Sequence, residues 1–117
     1  MIVRRGRVWW AKLREPGGSE PGFECPVVVV QSDDFNETPI QTIIVAVTTT
    51  NMRWAGAPGN VTLPAADVGL REDSVVNVSQ LLTLDRRFLM EPVGSLSAGL
   101  QRAVDSGLRF VLGVESD

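Results

Sequence analysis

The sequence predicts a small, mainly β protein: a barrel of short strands with one helix at the C-terminal end. Three observations carry this. Runs of β-branched and aromatic residues such as VWWAKL and PVVVVQ fill the first three quarters of the chain, and such side chains pack well on a pleated surface. The connections between them are long and rich in glycine and proline, as in closed sheets. Only from Ser97 onward does the apolar spacing change to a helical period. At 117 residues the chain suits a single domain, 1–117, with a core large enough to stand alone.

Residues 8–13, VWWAKL, form the first expected strand, which sends Trp9 and Trp10 to opposite faces, one into the core and one toward a surface or interface. The next nine residues, REPGGSEPG, hold two prolines and three glycines and predict an irregular loop. Pro26 to Gln31 reads as a strand buried on both faces, since four successive valines leave no polar alternation. Ser32 to Pro39 is an expected loop, and Thr42 to Thr50, TIIVAVTTT, the next strand. NMRWAGAPG, residues 51–59, is a third loop, and Val61 to Leu63 a short strand. Ser74 to Leu84 alternates well enough to be a longer strand, with Val76, Val78 and Leu82 on one face. Pro92 and Gly94 are expected to break the chain after Arg86 and Arg87. Ser97 then caps a helix running to about Leu112, whose apolar side is Leu100, Val104, Leu108 and Val111, with Gly113 as its stop. No internal repeat is visible.

Composition narrows the chemistry. Hydrophobic residues at 44% and charged ones at 21% are ordinary globular usage. No apolar run has the length of a membrane span and MIVRRGRVWW lacks the apolar core of a signal peptide, so a cytoplasmic location is the expectation. The chain has one cysteine and no histidine, which argues against a disulfide, a zinc site and an imidazole-based triad; no metal or cofactor is expected. The Asn-x-Ser/Thr triplets at Asn36, Asn60 and Asn77 read as turn and strand chemistry rather than glycosylation sites. A net charge of −3 argues against binding nucleic acid through bulk positive charge. Lys12 is nevertheless the one lysine among eleven basic residues, and arginine's planar fork suits phosphate.

Several blocks then fall in a specific order: RGRVWWAKL, GSEPGFECPVVVVQSDDFN, VTTTN, APGNVTLP, GLREDSVVNVSQLLTLD and VDSGLRFVLG. This succession, from Arg5 to about Leu112, resembles the MazF/PemK/Kid-type toxins of bacterial type II toxin–antitoxin systems. The resemblance implies an SH3-like barrel, a homodimer, a cognate antitoxin partner, and metal-independent, sequence-specific cleavage of single-stranded RNA through the substrate's own 2′-hydroxyl to a 2′,3′-cyclic phosphate. Such a reaction needs a proton acceptor for the 2′-hydroxyl, positive charge at the phosphorane oxygens and an in-line geometry.

Carried over residue by residue, the family's threonine falls on Thr49, expected to orient the scissile phosphate, within a turn that includes Thr50 and Asn51. The family's arginine, immediately before the second-strand proline, falls on Cys25. A thiol has neither forked donors nor permanent charge, so it does not replace guanidinium. Three readings of Cys25 stand open: an inert filler in a weakened or inactive toxin that still binds its antitoxin; an active nuclease in which another arginine, Arg53 or Arg86, supplies the charge; or an engineered or selected substitution that lowers toxicity during expression. Ser19 and Glu20 match the family's Gly-Ser-Glu loop beside the RNA. Gln31, Ser32 and Asn36 are candidates for hydrogen bonds to RNA, with Asn36 equally suited to a turn. Gln80 is a candidate for base recognition, and Trp54 either stacks on a base or packs under its loop. The runner-up function is a barrel acting without catalysis, as an antitoxin binder or a gyrase-directed toxin of the same fold.

Overall fold

A computed structural model describes residues 2–13 and 23–114. Six strands form one antiparallel sheet: β1 (Arg7–Lys12), β2 (Glu24–Val29), β3 (Thr42–Thr49), β4 (Val61–Leu63), β5 (Ser74–Asp85) and β6 (Leu89–Ser95). Their spatial order is β4-β5-β3-β2-β1-β6. Three helices accompany them: α1 (Asp33–Asn36), α2 (Ala65–Val68) and the long α3 (Ala98–Leu112).

The valine run behaves as its composition requires. Val27, Val28 and Val29 are fully buried, Val28 on one face with Val8, Ala46 and Val76, Val27 and Val29 on the other with Trp9 and Val45. Each contributes roughly 1.5 kcal/mol or more of transfer free energy. The strand starts and ends two residues earlier than expected, because at Val30 and Gln31 both backbone N–H groups turn to the single carbonyl of Ile44 (3.1 and 3.2 Å). Trp9 enters the core and Trp10 remains half-exposed.

Four expectations are corrected. Ser32 to Pro39 contains the turn of helix α1, because the Ser32 hydroxyl accepts from the Phe35 N–H and Asp33 and Asp34 sit at its positive end. On β5, Val76 and Val78 share the barrel interior, but Leu82 packs on the opposite side. One step on β3, Ala46 to Val47, faces four on β5, Leu81 to Asn77; an odd number of extra residues inverts every side chain beyond the bulge. Pro92 and Gly94 do not end the chain's regular structure; they lie inside β6. Among the described residues this strand pairs only with β1, and an edge strand tolerates a proline without an N–H. Finally, the buried residues of α3 end at Leu108, and Val111 is 39% exposed.

Gly94 has a further reason to be glycine: a Cβ there would overlap the carbonyl of Val68 in α2, and one on Gly69 would come within 2.9 Å of the Val93 carbonyl. Because α2 follows β4 at one end of the sheet and β6 is the other end, these contacts curl the sheet so that its two edges meet through α2. Helix α3 closes the interior, capped by Ser97 accepting from the Leu100 N–H and stopped by Gly113 at φ 70°. Val104 and Leu108 face the barrel, and Gly107 lies so close to the Gly59 carbonyl that no side chain fits between.

Candidate functional site

The N-terminal end of β2 and the C-terminal end of β3 are neighbours because the two strands run antiparallel. They open into a cleft of about 690 Å³, bounded by Trp10 on β1, Glu24 to Pro26, Thr48 to Thr50, the turn Gly69–Glu72, and Glu91 and Val93 on β6. The curling that brings β6 to α2 therefore also builds the far wall. Cys25 and Thr49, placed together by the order of sequence motifs, line this one cleft.

The three threonines differ in what their hydroxyls have left to give. Thr48 is buried and donates to the Pro26 carbonyl at 2.7 Å, so its O–H is spent on the fold. Thr49 is half-exposed and accepts from the Asn51 N–H at 3.1 Å. A hydroxyl carries one donor and two acceptor sites; among the described residues nothing takes the Thr49 O–H, which leaves it, fixed in position, for a ligand in the cleft. Thr50 is exposed at the rim. The Asn51 side chain is used locally, accepting from the Arg53 N–H at 3.1 Å as the cap of the turn Met52–Gly56. Trp54 on that turn is 51% exposed, so it is not packed beneath the loop.

Cys25 is 9% exposed. Burial pushes its thiol pKa up to about 11, outweighing the N–H of Thr48, which alone would lower it. At neutral pH the group is an uncharged thiol, neither base nor nucleophile.

Among the described residues bounding the cleft, Arg71 is the one cation, and Glu24, Glu72 and Glu91 line the same cleft. Sequence reasoning passed over it, although it stands in the GLREDS block beside Gly69, the left-handed residue that ends α2 at φ 78°. Neither arginine proposed as a substitute lines the cleft. Arg86 is tied to the backbone elsewhere, donating from Nε to the Ile40 carbonyl (2.9 Å) and from Nη2 to that of Asn36 (2.7 Å). Arg53 is exposed on the turn Met52–Gly56, outside the cleft lining.

Gln31 and Asn36 are also placed elsewhere, and buried. The Gln31 amide donates to Asn36 Oδ1 (3.0 Å) and the Thr42 carbonyl (3.1 Å), while its oxygen accepts from the Ile44 N–H (3.2 Å). Asn36 donates to the Gln31 carbonyl (3.0 Å) and to Asp33 Oδ1 (3.1 Å). These amides are buried and hold a corner of the fold away from the cleft. Ser32 is the α1 cap. Gln80 is exposed on the β5 bulge, accepting from Asn77 Nδ2 at 3.4 Å. Ser19 and Glu20 lie outside the described residues.

A second groove, of about 750 Å³, lies on the other side, between the Gln31 corner and α3, with Phe35, Ile40, Ile44, Leu112 and Val114 exposed along it. Among the described residues no group of three or more Cys, Asp or Glu side chains is placed to hold a metal ion, and no helix is long and apolar enough to cross a membrane.

A family model described as the PemK-like, MazF-like toxin of type II toxin–antitoxin systems matches residues 4–112. A curated relative, the endoribonuclease MazF6 of Mycobacterium tuberculosis, is 46% identical over 112 residues, 96% of this chain and 98% of the relative. Among solved structures, a mycobacterial endoribonuclease in complex with its cognate antitoxin superposes with a TM-score of 0.79 at 20% identity, over 98% of this chain and 99% of that one. A MazE–MazF structure from Deinococcus radiodurans gives 0.80 at 24% identity, over 98% and 99%. The expected barrel with its terminal helix is thus the fold these toxins have.

Proposed function

The chain belongs to the PemK-like, MazF-like toxins of type II toxin–antitoxin systems, and we propose that it is an endoribonuclease that cleaves single-stranded RNA in the cleft containing Thr49. The observation that carries this is the joint placement of the β2 start and the threonine turn in one cleft, with the Thr49 O–H unspent. The substrate's 2′-oxygen attacks the adjacent phosphorus and the P–O5′ bond breaks. The 2′ proton ends on the departing 5′-oxygen, leaving a 2′,3′-cyclic phosphate and a 5′-hydroxyl. Thr49 donates to a phosphate oxygen and holds the phosphorus in line. The nucleophile is part of the substrate, so no metal-bound hydroxide is called for.

The acidic lining gives the cleft little net attraction for a polyanion, so binding also draws on hydrogen bonds and base stacking, for which the exposed Trp54 is suited. The apolar groove beside α3 supports protein partners, a second copy of the chain and the antitoxin. An RNA substrate supports a cytoplasmic location. Mixed-sequence RNA incubated with the purified protein in the presence of a chelator tests the reading: fragments ending in 2′,3′-cyclic phosphate are expected, and intact RNA with both wild type and Cys25→Arg overturns it.

One observation favours a second reading. The residue at the family's arginine position is a neutral, buried thiol, and losing one well-placed donor costs about 10²- to 10³-fold in rate. A weakened toxin that still binds its antitoxin shows feeble cleavage by wild type and strong cleavage by Cys25→Arg. Unaltered DNA supercoiling in a gyrase assay separates both readings from a gyrase-directed toxin.

A further inference from the structure

Resting on the endoribonuclease reading, we infer that Arg71 is the phosphate-binding cation of this cleft and takes over the role left empty at Cys25. The requirement is physical: charge builds on the phosphorane oxygens as the 2′-oxygen attacks, and a site offering only hydroxyl and amide donors stabilises it poorly.

The other arginines that sequence reasoning suggested are elsewhere. Arg86 is bonded to two backbone carbonyls on the far side of the fold, and Arg53 lies outside the cleft lining. Arg5 is likewise spent, on the Val30 carbonyl and Asp105. Arg71 lines the same cleft as Thr49, and among the described residues its guanidinium makes no hydrogen bond or ion pair.

Its backbone, by contrast, is held on both sides. Leu70 N–H donates to the Ala65 carbonyl (3.0 Å), the Asp73 carboxylate accepts from the Ala65 N–H (2.8 Å), and the Ser74 hydroxyl donates to the Glu72 carbonyl (3.2 Å). Gly69 fixes the entry, since its left-handed φ and the nearby Val93 carbonyl leave no room for a side chain. A pinned turn with an uncommitted guanidinium is preorganised without being consumed by the fold. The carboxylates of Glu24, Glu72 and Glu91 line the same cleft, but among the described residues none is paired with this guanidinium, so a phosphate with its bidentate fit meets a fork it need not displace from a partner. The forked donor thereby reaches the phosphate from the α2–β5 turn rather than from the second strand.

The test compares wild type, Arg71→Gln, Arg71→Lys, Cys25→Arg and the Cys25→Arg/Arg71→Gln double variant on mixed-sequence single-stranded RNA. Binding to a 2′-O-methylated RNA, which lacks the nucleophile, is measured across salt concentrations. Arg71→Gln is expected to lower cleavage about 100-fold, with Arg71→Lys between it and wild type, and to reduce the slope of log affinity against log salt by about 0.7, the loss of one phosphate contact on a single strand. A merely structural role would leave that slope unchanged. In the Cys25→Arg background the same change should cost less than about tenfold, because an arginine at position 25 supplies the charge. Wild-type cleavage by Arg71→Gln overturns the role of Arg71 and leaves the nuclease reading intact, as does an inert wild type beside an active Cys25→Arg. RNA left intact by every protein overturns both.

Discussion

At the corner formed by Gln31, Asn36 and Arg86, both amide side chains are buried and the guanidinium holds two backbone carbonyls. In the cleft formed by Cys25, Thr49 and Arg71, one hydroxyl keeps its proton, one guanidinium makes no hydrogen bond or ion pair among the described residues, and the thiol is neutral. Both regions hold polar residues that suit RNA recognition, an arginine in each. What distinguishes them is donor capacity left over after folding. A buried donor without a partner costs about 1–3 kcal/mol, so the corner had to be saturated; the cleft is open to water and its donors stay available.

That contrast can be broken or sharpened by experiment. The largest effect is expected from adding Cys25→Arg to Arg71→Gln, which returns a forked cation to a cleft that has lost its own and should raise RNA cleavage about 100-fold; a rate unchanged from Arg71→Gln alone would mean that position 25 does not reach the phosphate. Next, alkylation of Cys25 by iodoacetamide at pH 7.5 should be roughly two orders of magnitude slower in the folded protein than in denaturant, from a thiol near 8.5 when unfolded and about 11 when folded. Because folding raises this pKa, the buried thiol stabilises the protein fully below about pH 8.5 and loses that contribution as pH rises through about 11. Alkaline melts of Cys25→Ala against wild type check that direction.

Asn36→Ala should destabilise the fold by about 1–3 kcal/mol, since it strands partners at Gln31 and Asp33, while the cleavage rate per folded molecule stays as in wild type. A specific loss of cleavage without loss of stability would return Asn36 to the RNA site. The smallest effect concerns Asp33, whose carboxyl is held below the usual range, chiefly by the Arg5 N–H and then by the Asn36 amide. A lowered folded pKa gives stability that is present above the unfolded value near 3.9 and fades as pH falls through the folded one. Asp33→Asn should therefore flatten the acid limb of the stability profile slightly, measured by melts between pH 2 and 5.

Much of the fold was legible. The four valines, the Ser97 cap and the Gly113 stop are local signals, and each produced the element it predicted. The missed strand β6 contains Pro92 and Gly94, breakers by local preference that an edge position and a close backbone approach tolerate and require. The reversed facing of Leu82 came from a bulge defined only by pairing with β3. In the site, the order of motifs brought Cys25 and Thr49 to one cleft, yet the choice among the three threonines needed the Thr48–Pro26 bond, and Arg71 carried no signal beyond its neighbours.

The sequence by itself determined the strand-rich barrel, the terminal helix, the family, and a chemistry without histidine, because these depend on residue type, short-range spacing and the order of blocks along the chain. Which polar groups remain free to meet RNA was decided only by the tertiary structure. Arg86 and Asn36 are 50 residues apart, and Thr48 and Pro26 are 22 apart. Hydrogen-bond capacity is consumed by whatever lies nearest in space, which local sequence does not specify.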